Sequence, residues 1–297
     1  MIKVDNISFR GLDFKIVRDD LFPEIGGGNK ARKALEYESD ALAKGANALI
    51  TTGGIQSNHC RAIAILCARR GWRCKIVYHG TRERFESEKG NALVVRLCGS
   101  ETEFVGESEI SSAMDNAMLD FRSCGFSPYY VRGGGHDICG GMAYVKAVAE
   151  LASSGFPAPD YIFHASGTGS TQAGIFVGLE KAGWKNTKVV GISVARNKER
   201  GTRVISEFSE KLAEHCGADF DSSKIIFTDK YTCGGYEKYP PELESFVASA
   251  AMETGILFDT TYSGKALYGM FGYIAENNLS AARILFWHTG GILNIMA

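Results

Sequence analysis

Three glycine-rich segments hold residue types that can do chemistry. In Gly26-Gly27-Gly28-Asn29-Lys30-Ala31-Arg32-Lys33, three cations crowd the first turn of an expected helix, where the macrodipole disfavours positive charge. That cost points to a local anion or to a lysine with a depressed pKa. A neutral amine attacks a carbonyl and forms an imine, so Lys30 is a candidate nucleophile; the alternative is a solvated basic face. Ser166-Gly167-Thr168-Gly169-Ser170-Thr171-Gln172-Ala173-Gly174 lies between an expected strand and an expected helix. Glycines there let backbone N–H groups converge on an anion, hydroxyls add donors, and the helix N-terminus supplies partial positive charge. The segment has no Walker lysine and its glycine spacing misses the dinucleotide fingerprint, so it suits one phosphate group better than a nucleotide chain; a plain tight turn is the competing reading. Thr51-Thr52-Gly53-Gly54-Ile55-Gln56-Ser57-Asn58-His59 has the same placement, at the carboxyl end of a parallel strand where open α/β sheets bind ligands. Gln56, Ser57, Asn58 and His59 gather four polar side chains at a helix N-terminus, which suits a carboxylate, while Ser57 alone reads equally well as an N-cap.

These loops need elements to hold them. Short apolar runs alternate with amphipathic helical stretches almost from end to end, the pattern of parallel βαβ units with helices on both sheet faces. Strands are predicted over 48–52, 74–78, 102–105, 129–132, 161–165, 189–195, 225–228 and 283–288. Helices are predicted over 31–44, 58–70, 90–97, 111–122, 140–153, 171–182, 201–215, 241–254 and 265–276. The stretch 31–44 is rich in helix formers and stops at Gly45, a good terminator. At 297 residues the chain has room for two packed lobes. No repeat or Pro-rich linker marks a division, and the best compositional break is the segment 133–141.

Composition excludes several classes. Hydrophobic residues make up 45% and charged residues 23%, the proportions of an ordinary globular protein. Lys and Arg number 33 against 34 Asp and Glu, with no basic stripe interleaved with aromatics, so nucleic acid is not an expected partner. The eight cysteines contain no C-x-x-C pair, and none has a His at metal-ligand spacing. They read as free thiols of a reducing cytoplasm, with no metal site. The start has no signal-peptide core and no apolar run approaches the roughly 18 residues of a membrane span, so no membrane association is expected.

The segments resemble the tryptophan-synthase-β-like (type II) enzymes that use pyridoxal 5′-phosphate (PLP), and within them the D-cysteine desulfhydrase and 1-aminocyclopropane-1-carboxylate deaminase family. The matching motifs run in family order from Phe14 to the end, at 14–21, 27–33, 53–59, 90–99, 131–135, 166–174, 261–266 and 288–291. The resemblance implies an α/β fold of two open, mostly parallel twisted sheets with helices on both faces. It implies a large PLP domain from residues 1–31 and 140–297, a small inserted domain over 32–139, and the cofactor in the cleft between them. Lys30 would be the Schiff-base lysine and the acid/base at the substrate α-carbon. Asn58 would meet the cofactor's phenolic oxygen, while Gly167, Thr168, Gly169, Ser170 and Thr171 would hold its phosphate. Ser57, Asn58 and His59 would line the substrate carboxylate site, with Gln56 close behind. Tyr236 and Tyr262 match active-site tyrosines that donate protons or orient the leaving group, with core packing as the alternative for each; with Lys30 and Ser57 they complete the catalytic candidates. Members are commonly dimers, so a homodimer is expected.

The residue facing the pyridine nitrogen sets the strength of the electron sink. Where the deaminases of the family carry Glu, this chain has Ser263. Desulfhydrase-like members carry Thr there together with the His-Thr-Gly-Gly segment found at 288–291, which makes Thr289 the first candidate for that contact and Ser263 the second. A modest sink suits elimination of a β-substituent better than cyclopropane opening. The reaction implied is β-elimination on a cysteine-like or other β-substituted alanine, through an aminoacrylate to pyruvate and ammonia. A β-replacement synthase and a cyclopropane deaminase share the same motifs, and a non-catalytic PLP or ligand-binding protein is a further alternative that the intact Lys30 opposes. Two departures stand out. Thirteen residues precede Phe14, where family members usually have a longer segment that helps frame the substrate lobe. His136 stands where relatives often have a small polar residue, which makes it a specificity candidate or a surface histidine.

Overall fold

The computed structural model describes residues 2–297. An antiparallel hairpin of β1 (Val4–Phe9) and β2 (Leu12–Arg18) opens the chain. There follow α1 (Gly28–Ala43), β3 (Ala48–Gly53), α2 (Asn58–Arg70), β4 (Arg73–His79), α3 (Arg82–Ser87), α4 (Gly90–Leu97), β5 (Glu101–Val105), α5 (Ile110–Ser123) and β6 (Pro128–Tyr130). The remainder is α6 (Ile138–Ser153), β7 (Tyr161–Ser166), α7 (Ser170–Lys181), β8 (Lys188–Ser193), α8 (Lys198–Cys216), β9 (Ile226–Thr228), α9 (Pro241–Thr254), α10 (Ser263–Glu276) and β10 (Ile284–His288).

Two sheets result, as the α/β pattern predicts. The larger has the order β1-β2-β10-β7-β8-β9 and is parallel except for β1; the smaller, β5-β4-β3-β6, is parallel throughout. All five residues of β10 and all but the first of β7 are buried, as strands must be when helices cover both faces. The chain leaves the larger sheet through α1, builds the smaller one, and returns through α6. The hairpin corrects the sequence expectation, which placed no strand before residue 48. In β2, Leu12, Phe14 and Ile16 are buried while Asp13 and Lys15 are exposed, an alternation that matches a sheet face. Strands β6 and β8 end earlier than expected, at Tyr130 and Ser193.

Two buried charges fix α1. Asp19, 1% exposed, accepts from Arg32 Nε at 2.8 Å, Tyr144 OH at 2.7 Å and Trp287 Nε1 at 2.7 Å. A carboxylate is tolerated at such depth only with partners of this kind, and these three tie α1 to α6 and β10. From α2, buried Arg61 donates to the carbonyls of Ile25 at 3.2 Å, Gly26 at 2.5 Å and Gly27 at 3.3 Å, which holds the loop leading into α1. Burial lowers its pKa to about 10.

Candidate active site

The carboxyl ends of β3, β7 and β8 and the amino ends of α1, α2 and α7 converge on a cleft of about 400 Å³. Lys30, Asn58, Thr168 and Thr289 all line it, although they lie far apart in the chain. A groove of about 500 Å³ between the β1–β2 hairpin and Phe156–Pro159 touches none of the three glycine-rich loops.

Lys30 Nζ donates to the Gly134 carbonyl at 2.8 Å. No carboxylate lines the cleft among the described residues. Burial lowers the Lys30 pKa to about 8, against a smaller opposing effect from Cys60. The crowding of cations seen in the sequence is thereby accounted for. Arg32 pairs with Asp19 and Glu150. Lys33, fully buried, donates to Ser170 Oγ at 2.7 Å, and burial together with Lys30 holds its pKa well below the usual lysine value. The start of α1 is also locked to the end of the chain. Asn29 N–H donates to the Thr289 carbonyl at 2.9 Å, and at Gly28, whose φ is +77°, a Cβ would stand 2.8 Å from that oxygen.

The turn into α7 leaves the helix N-terminus without a side-chain cap. Its N-cap is Gly169, so the N–H groups of the first turn lack acceptors of their own. Thr168 and Thr171 line the cleft beside them; Asn29 Nδ2 donates to Thr171 Oγ1 at 3.2 Å and Arg196 Nη1 to the Thr168 carbonyl at 2.8 Å. Ser170 is buried behind the turn, its hydroxyl donating to the Gly135 carbonyl at 2.8 Å.

At the start of α2, Ser57 does act as N-cap, its Oγ accepting from Cys60 N at 3.2 Å, yet it also lines the cleft and keeps its own proton for donation. His59 is neutral, since burial, Lys30 and Lys33 push its pKa well below the usual value. Thr51 gives its only hydroxyl proton to the Val131 carbonyl at 3.0 Å, so it must accept from His59 Nε2 at 2.8 Å. That assigns the Nε2–H tautomer and leaves the His59 imidazole no N–H for a ligand. Gln56 does not line the cleft; it binds Glu88 Oε2 at 2.7 Å and the Lys89 carbonyl at 3.0 Å.

Tyr236 and Tyr262 meet at the cleft, their hydroxyls 2.5 Å apart. Burial raises both pKa values, that of Tyr236 to about 12, so both are neutral phenols able to donate. Lys265, which sequence reasoning passed over, donates from α10 to the Gly235 carbonyl at 2.5 Å and so holds the loop carrying Tyr236. Ser263 is 1% exposed and outside the cleft lining, its hydroxyl donating to Asp259 Oδ1 at 2.7 Å. His136 is also not brought in: its ring packs against Phe208 with centroids 4.7 Å apart, and burial lowers its pKa to about 4.

A family model described as pyridoxal-phosphate dependent enzyme matches residues 1–290. The chain belongs to that family. It is 31% identical over 290 residues to D-cysteine desulfhydrase of Yersinia enterocolitica, covering 95% of this chain and 88% of the other. It is 32% identical over 285 residues to a Pyrococcus horikoshii protein provisionally named 1-aminocyclopropane-1-carboxylate deaminase, covering 95% and 85%. A crystal structure of a deaminase homologue superposes with a TM-score of 0.89 at 31% identity, covering 99% of this chain and 90% of that one. The cofactor of this PLP-dependent enzyme is pyridoxal 5′-phosphate, and the cleft's donor set fits it. A phosphate matches the uncapped helix with its hydroxyls, an aldehyde matches an amine with a lowered pKa, and Asn58 offers a buried Oδ1 with no protein partner.

Proposed function

We propose that this enzyme eliminates the β-substituent of a small amino acid, cysteine-like or another β-substituted alanine, the substituent leaving with a proton and one water being consumed to give pyruvate and ammonia. The observation that carries the reading is the meeting, in one cleft, of a lysine amine with pKa about 8 and the anion-binding turn before α7. Resemblance to the desulfhydrase supports elimination. When bound, PLP supplies an aldehyde for amino groups and an electron sink for charge left at the α-carbon. Lys30 would be the residue that holds the cofactor through its amine, and its Nζ would hold or return the α-proton, a task for which a pKa near working pH is suited. Gly167, Thr168, Gly169, Ser170 and Thr171 hold the phosphate, Ser170 through its backbone N–H because its hydroxyl faces Gly135.

Ser57 Oγ and the backbone N–H groups of Asn58 and His59 bind the substrate carboxylate. Asn58 orients the cofactor, and Gln56 braces the loop from behind. Tyr262, with Tyr236 as its hydrogen-bond partner, delivers a proton to the leaving group. Thr289 is the partner of the ring nitrogen, because the hydroxyl of Ser263 already donates to Asp259. The lobes proposed are 1–31 with 140–297, and 32–139, with α1 crossing from one to the other. A homodimer in a reducing cytoplasm is the proposed state, the latter supported by eight free cysteines; among the described residues no helix is long and apolar enough to cross a membrane.

The test is product analysis on the PLP-loaded enzyme with D- and L-cysteine, β-chloroalanine, O-acetylserine and the cyclopropane amino acid. Pyruvate from a single β-substituted substrate, absent with Lys30→Ala, supports the reading. Turnover that waits for an added nucleophile, or that is confined to the cyclopropane substrate, contradicts it.

A further inference from the structure

The last turn of the chain, Ile292–Met296, follows β10 of the larger sheet yet packs on α4 of the smaller one. The approach is close: a Cβ on Gly90, at the start of α4, would stand 2.6 Å from the Leu293 carbonyl oxygen and 3.3 Å from Ala297 Cα. From this turn Asn294 reaches the cleft wall. Its Oδ1 accepts from Asn58 Nδ2 at 2.9 Å and from Asn91 Nδ2 at 2.9 Å, while its Nδ2 approaches the Gln56 carbonyl at 3.4 Å. Gln56 closes the network, its Oε1 accepting from Asn91 N at 2.9 Å and its carbonyl from Asn91 Nδ2 at 3.2 Å.

A side-chain amide presents donors on one side and an acceptor on the other, and its terminal torsion has a broad, roughly two-fold preference. An acceptor held against Nδ2 removes that freedom. Asn58 is 8% exposed and its Oδ1 has no protein partner, so no other side chain opposes a flip of the amide. We propose that Asn294 is a positioning residue for Asn58: the C-terminal turn straps the two sheets together and fixes which face of the Asn58 amide the cofactor meets. This inference rests on the assignment of the cleft as the PLP site.

The experiment compares Asn294→Ala, Asn91→Ala and Asn58→Ala by thermal melting, by the dissociation constant of PLP for the apoprotein, and by the pH titration of the bound cofactor's visible absorbance. Asn91→Ala breaks the network but leaves the bond between Asn58 and Asn294. The strap predicts that Asn294→Ala weakens PLP binding about 2- to 13-fold, the equivalent of one hydrogen bond, and moves the absorbance titration. Asn91→Ala should lower the melting temperature but leave both cofactor readouts as in the parent. If Asn294→Ala matches Asn91→Ala in both cofactor readouts while Asn58→Ala weakens binding, the strap is overturned and the cofactor site stands. If Asn58→Ala binds PLP like the parent, the placement of Asn58 fails, and the strap with it.

Discussion

At the scale of single residues, the proposed chemistry turns on one amine. Lys30 is neutral above its pKa, so the rate at which apoprotein captures PLP should rise about tenfold per pH unit up to about pH 8 and level off above it. Stopped-flow absorbance checks this; a rate still climbing steadily at pH 10 would show an unperturbed lysine. Tyr262→Phe removes one phenol of the pair and should lower kcat about 10²-fold or more for substrates with poor leaving groups. Its effect should be smaller for β-chloroalanine, whose chloride departs without a proton; an equal loss for both kinds of substrate would exclude proton delivery. Much at this scale was legible. Lys30 showed as a cation placed against the helix dipole and the 166–174 loop as a proposed anion cradle, and both line the cleft. Ser263 and His136 read as site candidates because sequence shows neighbours in the chain, not the Asp259 carboxylate or the Phe208 ring that engages each. Lys33 showed only as one cation of the crowded turn and Lys265 gave no sign of its burial, since a buried lysine looks like a solvated one until its surroundings are known.

At the scale of elements, the site depends on how α1 is held. Asp19→Ala would leave Arg32 with Glu150 as its carboxylate and take the acceptor from the buried Tyr144 hydroxyl and Trp287 indole N–H, at about 1–3 kcal/mol for each buried group left unpaired. Chemical denaturation should show that loss, and a drop below 1 kcal/mol would mean the three donors find other acceptors. Arg61→Met strips three carbonyls of their donor; with about 1–3 kcal/mol for each buried group left unpaired, it should destabilise the chain and weaken PLP binding together. The parallel strands and most helices were legible because their apolar runs and periodicity survive without context. The hairpin was not recognised: the alternation in β2 is broken by Val17 and Arg18, and its burial depends on β10, which is formed by residues 284–288.

At the scale of the whole molecule, two sheets share one cleft, and the elements that line it come from both ends of the chain. Sedimentation equilibrium should give twice the 32.2 kDa chain mass if the proposed homodimer forms; a single-chain mass at micromolar concentration would refute it. The two-sheet arrangement was marked in composition only by the break at 133–141, and the proposed bounds of the lobes drew on family resemblance, because α1 and α6 carry the chain between sheets without a Pro-rich or repetitive linker. The central claim is that Lys30, among all the lysines, bonds to the cofactor. Borohydride reduction of the PLP-loaded enzyme followed by peptide mass mapping tests it most directly. The pyridoxyl group should be found on Lys30 and be absent from Lys33 and Lys265; a label on either of those two, or on none, would contradict the assignment.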